Sequence, residues 1–265
     1  MIADLLKNIA GDDFEVKALM GPGVDPHLYK ATRQDLADLR RAEVVFYNGL
    51  HLEGKMAEVL EKLENKHAVF ALAKGIAPQK IHKQGGAPDP HIWFDVQLWE
   101  EASVFVAQKM AEKYPRKAAV FQKNQKEYQA KLRQLDEELR QSLRQIPQTQ
   151  RVLITAHDAF GYFGQAYNME VKGLQGISTL SEFGLRDVKE LVDFIVARKI
   201  KAVFVESAIS PKSLEAVVQG CAQRGHTVRI GGTLYADALG GADTPAGTYL
   251  GMVRTNLRTI IEALQ

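Results

Sequence analysis

The chain holds one cysteine, Cys221, among 265 residues, so no disulfide can form within it. A lone thiol inside a helical apolar pattern reads as a core side chain and fixes no redox compartment. No apolar run approaches the ~18 residues that a spanning helix needs. An excess of one charge is also missing. Lys and Arg number 34 and Asp and Glu 32, interspersed, for a formal net charge of +2. That balance gives no electrostatic footing for nucleic acid or for an anionic membrane surface. There is no Cys-x-x-Cys, no Walker-type loop and no Gly-x-Ser-x-Gly, and the Gly-Gly pairs at 85–86, 231–232 and 240–241 are too bare to read as phosphate cradles. The opening Met1-Ile2-Ala3-Asp4-Leu5-Leu6-Lys7 has neither a basic leader nor a cleavage site. What is present is ordinary globular material, 46% hydrophobic and 25% charged, long enough for two modest domains or one large one.

The hydrophobic pattern alternates between helix and strand. Ile2, Leu5, Leu6 and Ile9 set one apolar face on a helix over 2–10. Residues 14–20 alternate as a short strand, Thr32 caps a helix over about 33–42, and 44–47 is a buried type of strand. A helix over 50–64, a strand over 67–71 and a polar Gly/Pro loop over 74–90 follow. Asp95 suits the N-cap of a helix over 96–113, which Pro115 ends. From about 116 to 146 neither Gly nor Pro intervenes, and Tyr128, Leu132, Leu135, Leu139, Leu143 and Ile146 form a stripe at spacings of three and four. At ~1.5 Å per residue this helix would reach roughly 45 Å, which suits a strut joining two lobes. Beyond Pro147, strands are expected over 151–156, 169–174, 202–206 and 226–230. Helices are expected over 158–167, 186–199, 211–224 and 247–263, with loops at 178–183 and from Gly231-Gly232 onward. The fold class is α/β: two β/α lobes with mostly parallel sheets, over 1–114 and 148–265, joined by a long linking helix over 115–147.

Four segments carry donors suited to a metal. Asp-Pro-His occurs at 25–27 and again at 89–91, each time after a Gly/Pro loop. Proline fixes its own φ and drives the preceding residue to an extended conformation, so the histidine that follows is launched in a set direction. His157 directly follows an apolar strand, and Asp237 follows the Gly231-Gly232 segment. Open parallel sheets bind ligands beyond the carboxyl ends of their strands. Two donors precede the strut and two follow it, so a shared site would lie in the cleft between lobes. Bland accounts stand beside each donor. A histidine after proline is usually a loop residue, His157 suits a cap or a core position, and Asp237 suits a turn. Glu206, ending an apolar strand, is either a strand cap or the partner that orients a metal-bound histidine through its other ring nitrogen. Trp93, Phe94 and Trp99 read as core packing, and His51, His67, His82 and His226 take no role.

Gly21–Tyr29, Asp89–Asp95, Thr155–Phe163 and Tyr235–Ala238, together with Val171–Gly176 and Gly247–Val253, resemble the metal-binding solute-binding proteins of ABC transporters, the ZnuA/TroA class, and the TroA type most closely. The resemblance runs through essentially the whole chain, in order. It implies two α/β lobes joined by one long helix, with one zinc or manganese ion per chain held by His27, His91, His157 and Asp237. Manganese-specific members usually carry Glu at the position matching His157, so the histidine here points to zinc or to mixed zinc/manganese behaviour. Some zinc members carry a long His- and acid-rich loop. Here Lys74–Ala87 is short and holds only His82, so loop-based capture is not expected. Members also begin with a signal sequence and a first strand ahead of the helix matching residues 2–10. The natural precursor is therefore expected to be longer and exported, free in a periplasm or lipid-anchored.

The function so implied is a monomeric, non-enzymatic protein that captures a divalent metal and delivers it to an ABC permease with its ATPase. The alternatives are a zinc hydrolase using the same ligands, with Glu206 or Asp158 as general base, or a surface adhesin of the same family. The hydrolase needs a coordination position left open for water.

Overall fold

The computed structural model describes residues 1–64 and 68–265. His67, where a strand was expected to begin, lies outside the described residues. The chain divides into two compact units, Met1–Asp136 and Glu137–Gln265.

In the first unit, α1 (Ile2–Ala10) buries Leu5 and Ile9, as their spacing requires. Residues 14–20 do not form the expected strand. Alternation alone is not enough, because a strand needs a partner for its backbone groups, and the Leu19 carbonyl instead accepts the Tyr29 hydroxyl at 3.3 Å. α2 (Arg33–Arg41) begins in a reciprocal cap. Thr32 Oγ1 accepts the Asp35 N–H at 3.2 Å, and the Asp35 carboxylate accepts the Thr32 N–H at 2.6 Å. β1 (Val45–Tyr47) pairs in parallel with β2 (Val69–Ala71), Val45 opposite Val69 and Tyr47 opposite Ala71. Between them α3 (Ala57–Glu64) sends Leu60 into a core shared with Leu39, Tyr47, Met56, Val69 and Ala71.

The helix expected over 50–64 forms only in its second half. Gly49, Leu50 and His51 have φ of +82°, +55° and +63°, a left-handed path that cannot join a right-handed helix. The polar loop that follows contains a small hairpin, β3 (Lys83–Gln84) with β4 (Ala87–Pro88). α4 (Val96–Lys113) starts at Asp95, whose carboxylate accepts the N–H groups of Gln97 and Leu98. Trp93, Phe94 and Trp99 are all buried, as core residues should be.

Pro115–Lys117 forms a short 3-10 turn, so the long helix α5 (Ala118–Leu143) starts later than expected and runs 26 residues, roughly 40 Å. Tyr128, Leu132, Leu135, Leu139 and Leu143 of its stripe are all buried. The division between the two units falls within this helix.

The second unit is a parallel sheet of β5 (Val152–His157), β6 (Glu170–Gln175), β7 (Ala202–Glu206) and β8 (Arg229–Leu234), in the order β6-β5-β7-β8. The helices are α6 (Gly161–Tyr167), α7 (Leu185–Arg198), α8 (Lys212–Gln223) and α9 (Tyr249–Leu264). β5 is buried along its whole length. Val152, Ile154 and Ala156 pack with Leu191, Ile195, Leu214, Val217 and Cys221, and each large aliphatic side chain fully buried contributes about 1.5–3 kcal/mol. The chain leaves β5 toward β6 on one side and returns to β7 on the other. The point where strand order reverses is where open α/β sheets place their ligands, and it falls here between the ends of β5 and β7.

β8 differs from expectation. It passes through Gly231 and Gly232 instead of stopping before them. The two glycines serve close packing: a Cβ on Gly231 would sit 2.7 Å from the Ala263 Cβ, and one on Gly232 would sit 2.5 Å from Thr259 Cγ2. Side chains there would push α9 off the strand.

Candidate metal centre

The two Asp-Pro-His segments of the first unit share one local device. Asp25 Oδ1 accepts the His27 N–H at 2.8 Å, and Asp89 Oδ1 accepts the His91 N–H at 3.0 Å. An aspartate bonding the backbone two residues on is an Asx turn, and the intervening proline stiffens it. Both histidines are buried, and their ring centroids lie 5.5 Å apart at 60°. His91 also packs edge-on to Trp93, with centroids 5.3 Å apart.

Asp89 also meets the ring of its histidine. Its Oδ1 is also 2.7 Å from His91 Nδ1. An ionised carboxylate only accepts, so Nδ1 carries the proton and Nε2 keeps its lone pair. This is the orientation in which a histidine ligates a metal. Next to His91, Asn48 Nδ2 donates to the Pro90 carbonyl at 2.9 Å.

In the second unit His157 is the last residue of β5 and Glu206 the last of β7. Glu206 Oε1 accepts the His157 N–H at 2.8 Å, and its Oε2 lies 2.5 Å from Nδ1. The other ring nitrogen, Nε2, is 3.3 Å from Asp237 Oδ2. All three side chains are buried. Burial opposes a charged imidazole, but the carboxylates of Asp237 and Glu206 outweigh it and hold the His157 pKa well above the ordinary value. Nε2 and the Asp237 carboxylate thus face each other as two donors that one cation can bridge.

Asp237 lies three residues past the end of β8. Asn256 of α9 anchors the start of its loop, accepting the Tyr235 N–H at 2.9 Å and donating to the Tyr235 carbonyl at 2.8 Å. Gly173 of β6 supports His157 from the side, since a Cβ there would lie 2.6 Å from the His157 carbonyl carbon and 2.4 Å from the Asp158 nitrogen.

The structure therefore groups His27 with His91, and His157 with Asp237 and Glu206. Glu206 meets His157 at its backbone N–H and lies close to its Nδ1, which both sequence readings of Glu206 allow. Asp89, Asn48 and Asn256 were not singled out as functional from the sequence. Asp89 had a signal in its place two residues before a histidine, and Asn256 had one as a polar residue on the apolar stripe of α9. Asn48 had none. His226 binds the Ile200 carbonyl through Nε2 at 2.7 Å, away from these groups in the sequence and in its bonding.

A family model described as zinc-uptake complex component A, periplasmic, matches residues 1–263. The manganese-binding lipoprotein MntA of Bacillus subtilis is 50% identical over 266 residues, covering 100% of this chain and 87% of the relative. The zinc-binding protein TroA of Treponema pallidum is 48% identical over 265 residues, covering 100% and 86%. The solved periplasmic zinc-binding TroA of Treponema pallidum matches with a TM-score of 0.97 at 48% identity, over 100% of this chain and 96% of that one. The solved Fe(III)-bound YtgA of Chlamydia trachomatis matches with a TM-score of 0.90 at 28% identity, over 99% and 94%.

Proposed function

Because this chain belongs to the periplasmic zinc-uptake component A family, whose model spans residues 1–263, we propose that it is the metal-capturing component of an ABC transporter. It binds one divalent transition metal outside the cytoplasm and delivers it to a membrane permease driven by its ATPase. His27, His91, His157 and Asp237 hold the ion.

One observation carries this reading. Two histidines in separate units are approached in the same way: Asp89 accepts the backbone N–H of His91 and bonds its Nδ1, and Glu206 accepts the backbone N–H of His157 while its second oxygen lies 2.5 Å from Nδ1. A carboxylate behind each ring fixes the tautomer and leaves Nε2 for the metal. Histidines serving only to fill a core have no need of this arrangement twice.

Three imidazoles and one carboxylate match the ligand types of zinc, and they also admit manganese. Relatives named for each metal stand at similar identity, one described as zinc-binding and one as manganese-binding. The imidazole majority favours zinc. Four protein donors complete a tetrahedral zinc sphere, whereas hydrolytic zinc sites keep a position for water. The protein is therefore a carrier and not a hydrolase.

The test is metal content by mass spectrometry of natively purified protein, beside His157→Ala and Asp237→Ala. About one zinc or manganese per chain, lost in both variants, is the expected result. Metal retained in Asp237→Ala, with hydrolytic activity, would overturn the carrier reading.

A further inference from the structure

We propose that Glu53 and Asn48 are positioning residues for the His91 ligand, acting through the Pro90 carbonyl. This rests on His91 being a metal ligand.

The turn before α3 is unusual. Three successive residues, Gly49, Leu50 and His51, are left-handed, and two of them carry a Cβ. Left-handed backbone at non-glycine residues is strained and persists only where its surroundings over-determine it. Glu53 supplies that constraint. Its Oε1 accepts the Asn48 N–H at 2.7 Å and its Oε2 accepts the Gly49 N–H at 3.2 Å. The carboxyl is only 5% exposed, an environment that pushes its pKa up to about 7 despite those two donors. A buried acid at this cost in desolvation holds a turn that the sequence would otherwise fold as helix.

What the turn presents is Asn48, which is fully buried. Its N–H goes to Glu53, its carbonyl accepts the Ala73 N–H at 3.1 Å, and its Nδ2 donates to Gly49 O at 3.1 Å and to Pro90 O at 2.9 Å. The last bond spans 42 residues of sequence and reaches the residue before the ligand. Pro90 O also accepts the Ile92 N–H at 2.8 Å.

The peptide plane between Pro90 and His91 is thus held on both edges. Its carbonyl is gripped by Asn48 and its N–H by Asp89 at 3.0 Å. A planar peptide fixed at both edges sets the direction in which the His91 Cα–Cβ bond leaves the chain. Asp89 aims the ring, and Asn48 aims the backbone that carries it.

The experiment uses metal-free protein with 15N-labelled histidine, read by NMR, beside zinc affinity from competition with a fluorescent chelator. Asn48→Leu removes the donor at similar volume. It is expected to move the His91 resonances, leave those of His157 in place, and weaken zinc binding about 10- to 100-fold, the usual loss for a ligand's supporting partner. Glu53→Gln keeps an acceptor for the Asn48 N–H and is expected to bind zinc more tightly than Glu53→Ala. Unchanged His91 resonances and affinity in Asn48→Leu would overturn the proposal. So would resonances of His91 and His157 that move alike with a lowered melting temperature, since that marks a merely structural role. If Asn48→Leu does not fold, Asn48→Asp, isosteric but without the N–H donor, makes the same comparison. If His91→Ala leaves zinc affinity intact, the ligand assignment has failed, and the His91 resonances in the Asn48 variant still decide the positioning.

Discussion

Glu206 holds His157 twice, with Oε1 on its backbone N–H at 2.8 Å and Oε2 at 2.5 Å from Nδ1. The two residues end neighbouring strands on either side of the point where strand order reverses. Register does the positioning: Thr155 of β5 stands opposite Phe204 of β7, and His157 and Glu206 each lie two residues further on.

Replacing Glu206 by Gln should weaken zinc binding by about 10- to 100-fold. An amide can place its N–H against Nδ1, which moves the imidazole proton to Nε2, the nitrogen the metal needs. Competition against a zinc chelator measures this. An affinity within twofold of wild type would make Glu206 a strand-end group only.

Gly173→Ala should destabilise the second unit by about 1–3 kcal/mol through overpacking. The added Cβ would collide with backbone at His157 and Asp158. Calorimetric unfolding together with zinc titration should show both quantities falling. A stable variant with full affinity would mean that β5 and β6 separate without moving His157.

The buried Glu53 predicts a pH dependence of the metal-free protein. Its pKa rises on folding from 4.5 to about 7, because burial disfavours the carboxylate more than the amides of Asn48 and Gly49 favour it. For a raised carboxyl pKa, the stabilising contribution is complete below about 4.5 and is lost as pH climbs through about 7. Wild type should therefore lose up to roughly 3 kcal/mol relative to Glu53→Gln between pH 4.5 and pH 8. Denaturant unfolding at both pH values reads this, and a difference that stays flat would show a carboxylate charged throughout.

Zinc should raise the melting temperature of the wild type, since a ligand bound only by the folded state stabilises it by about 2.7 kcal/mol at a hundredfold excess over Kd. His27→Ala and His91→Ala should each remove most of that shift while leaving the apo melting temperature close to wild type. A shift that survives either substitution would place the ion elsewhere.

Much of the fold was legible in the sequence because local rules and packing agree there. The α5 stripe, the Asp95 and Thr32 caps and the apolar run of β5 each follow from periodicity or capping chemistry. The departures have different causes. Residues 14–20 enter no strand pairing among the described residues, at 49–56 the Glu53 carboxylate turns the chain out of a helix through bonds only four and five residues long, and at Gly231-Gly232 the nearness of α9 keeps a strand going where composition suggested a loop. The last depends on a segment distant in the chain, which no local window of sequence contains.

The same division applies to the site. His27, His91, His157 and Asp237 could be nominated as candidate ligands from the chain, because a rigid Asp-Pro-His turn and a strand-end position are local features. The supporting groups were less legible. Asn48 is an ordinary asparagine until 42 residues later the chain sets Pro90 beside it, and Glu206 could be read either as a strand cap or as a histidine partner until sheet register set it against His157, 49 residues earlier. Sequence nominated the side chains proposed to bind a metal. Tertiary structure decided which carboxylates and amides stand behind them, because hydrogen bonds of fixed length join residues that only the folded backbone brings within reach.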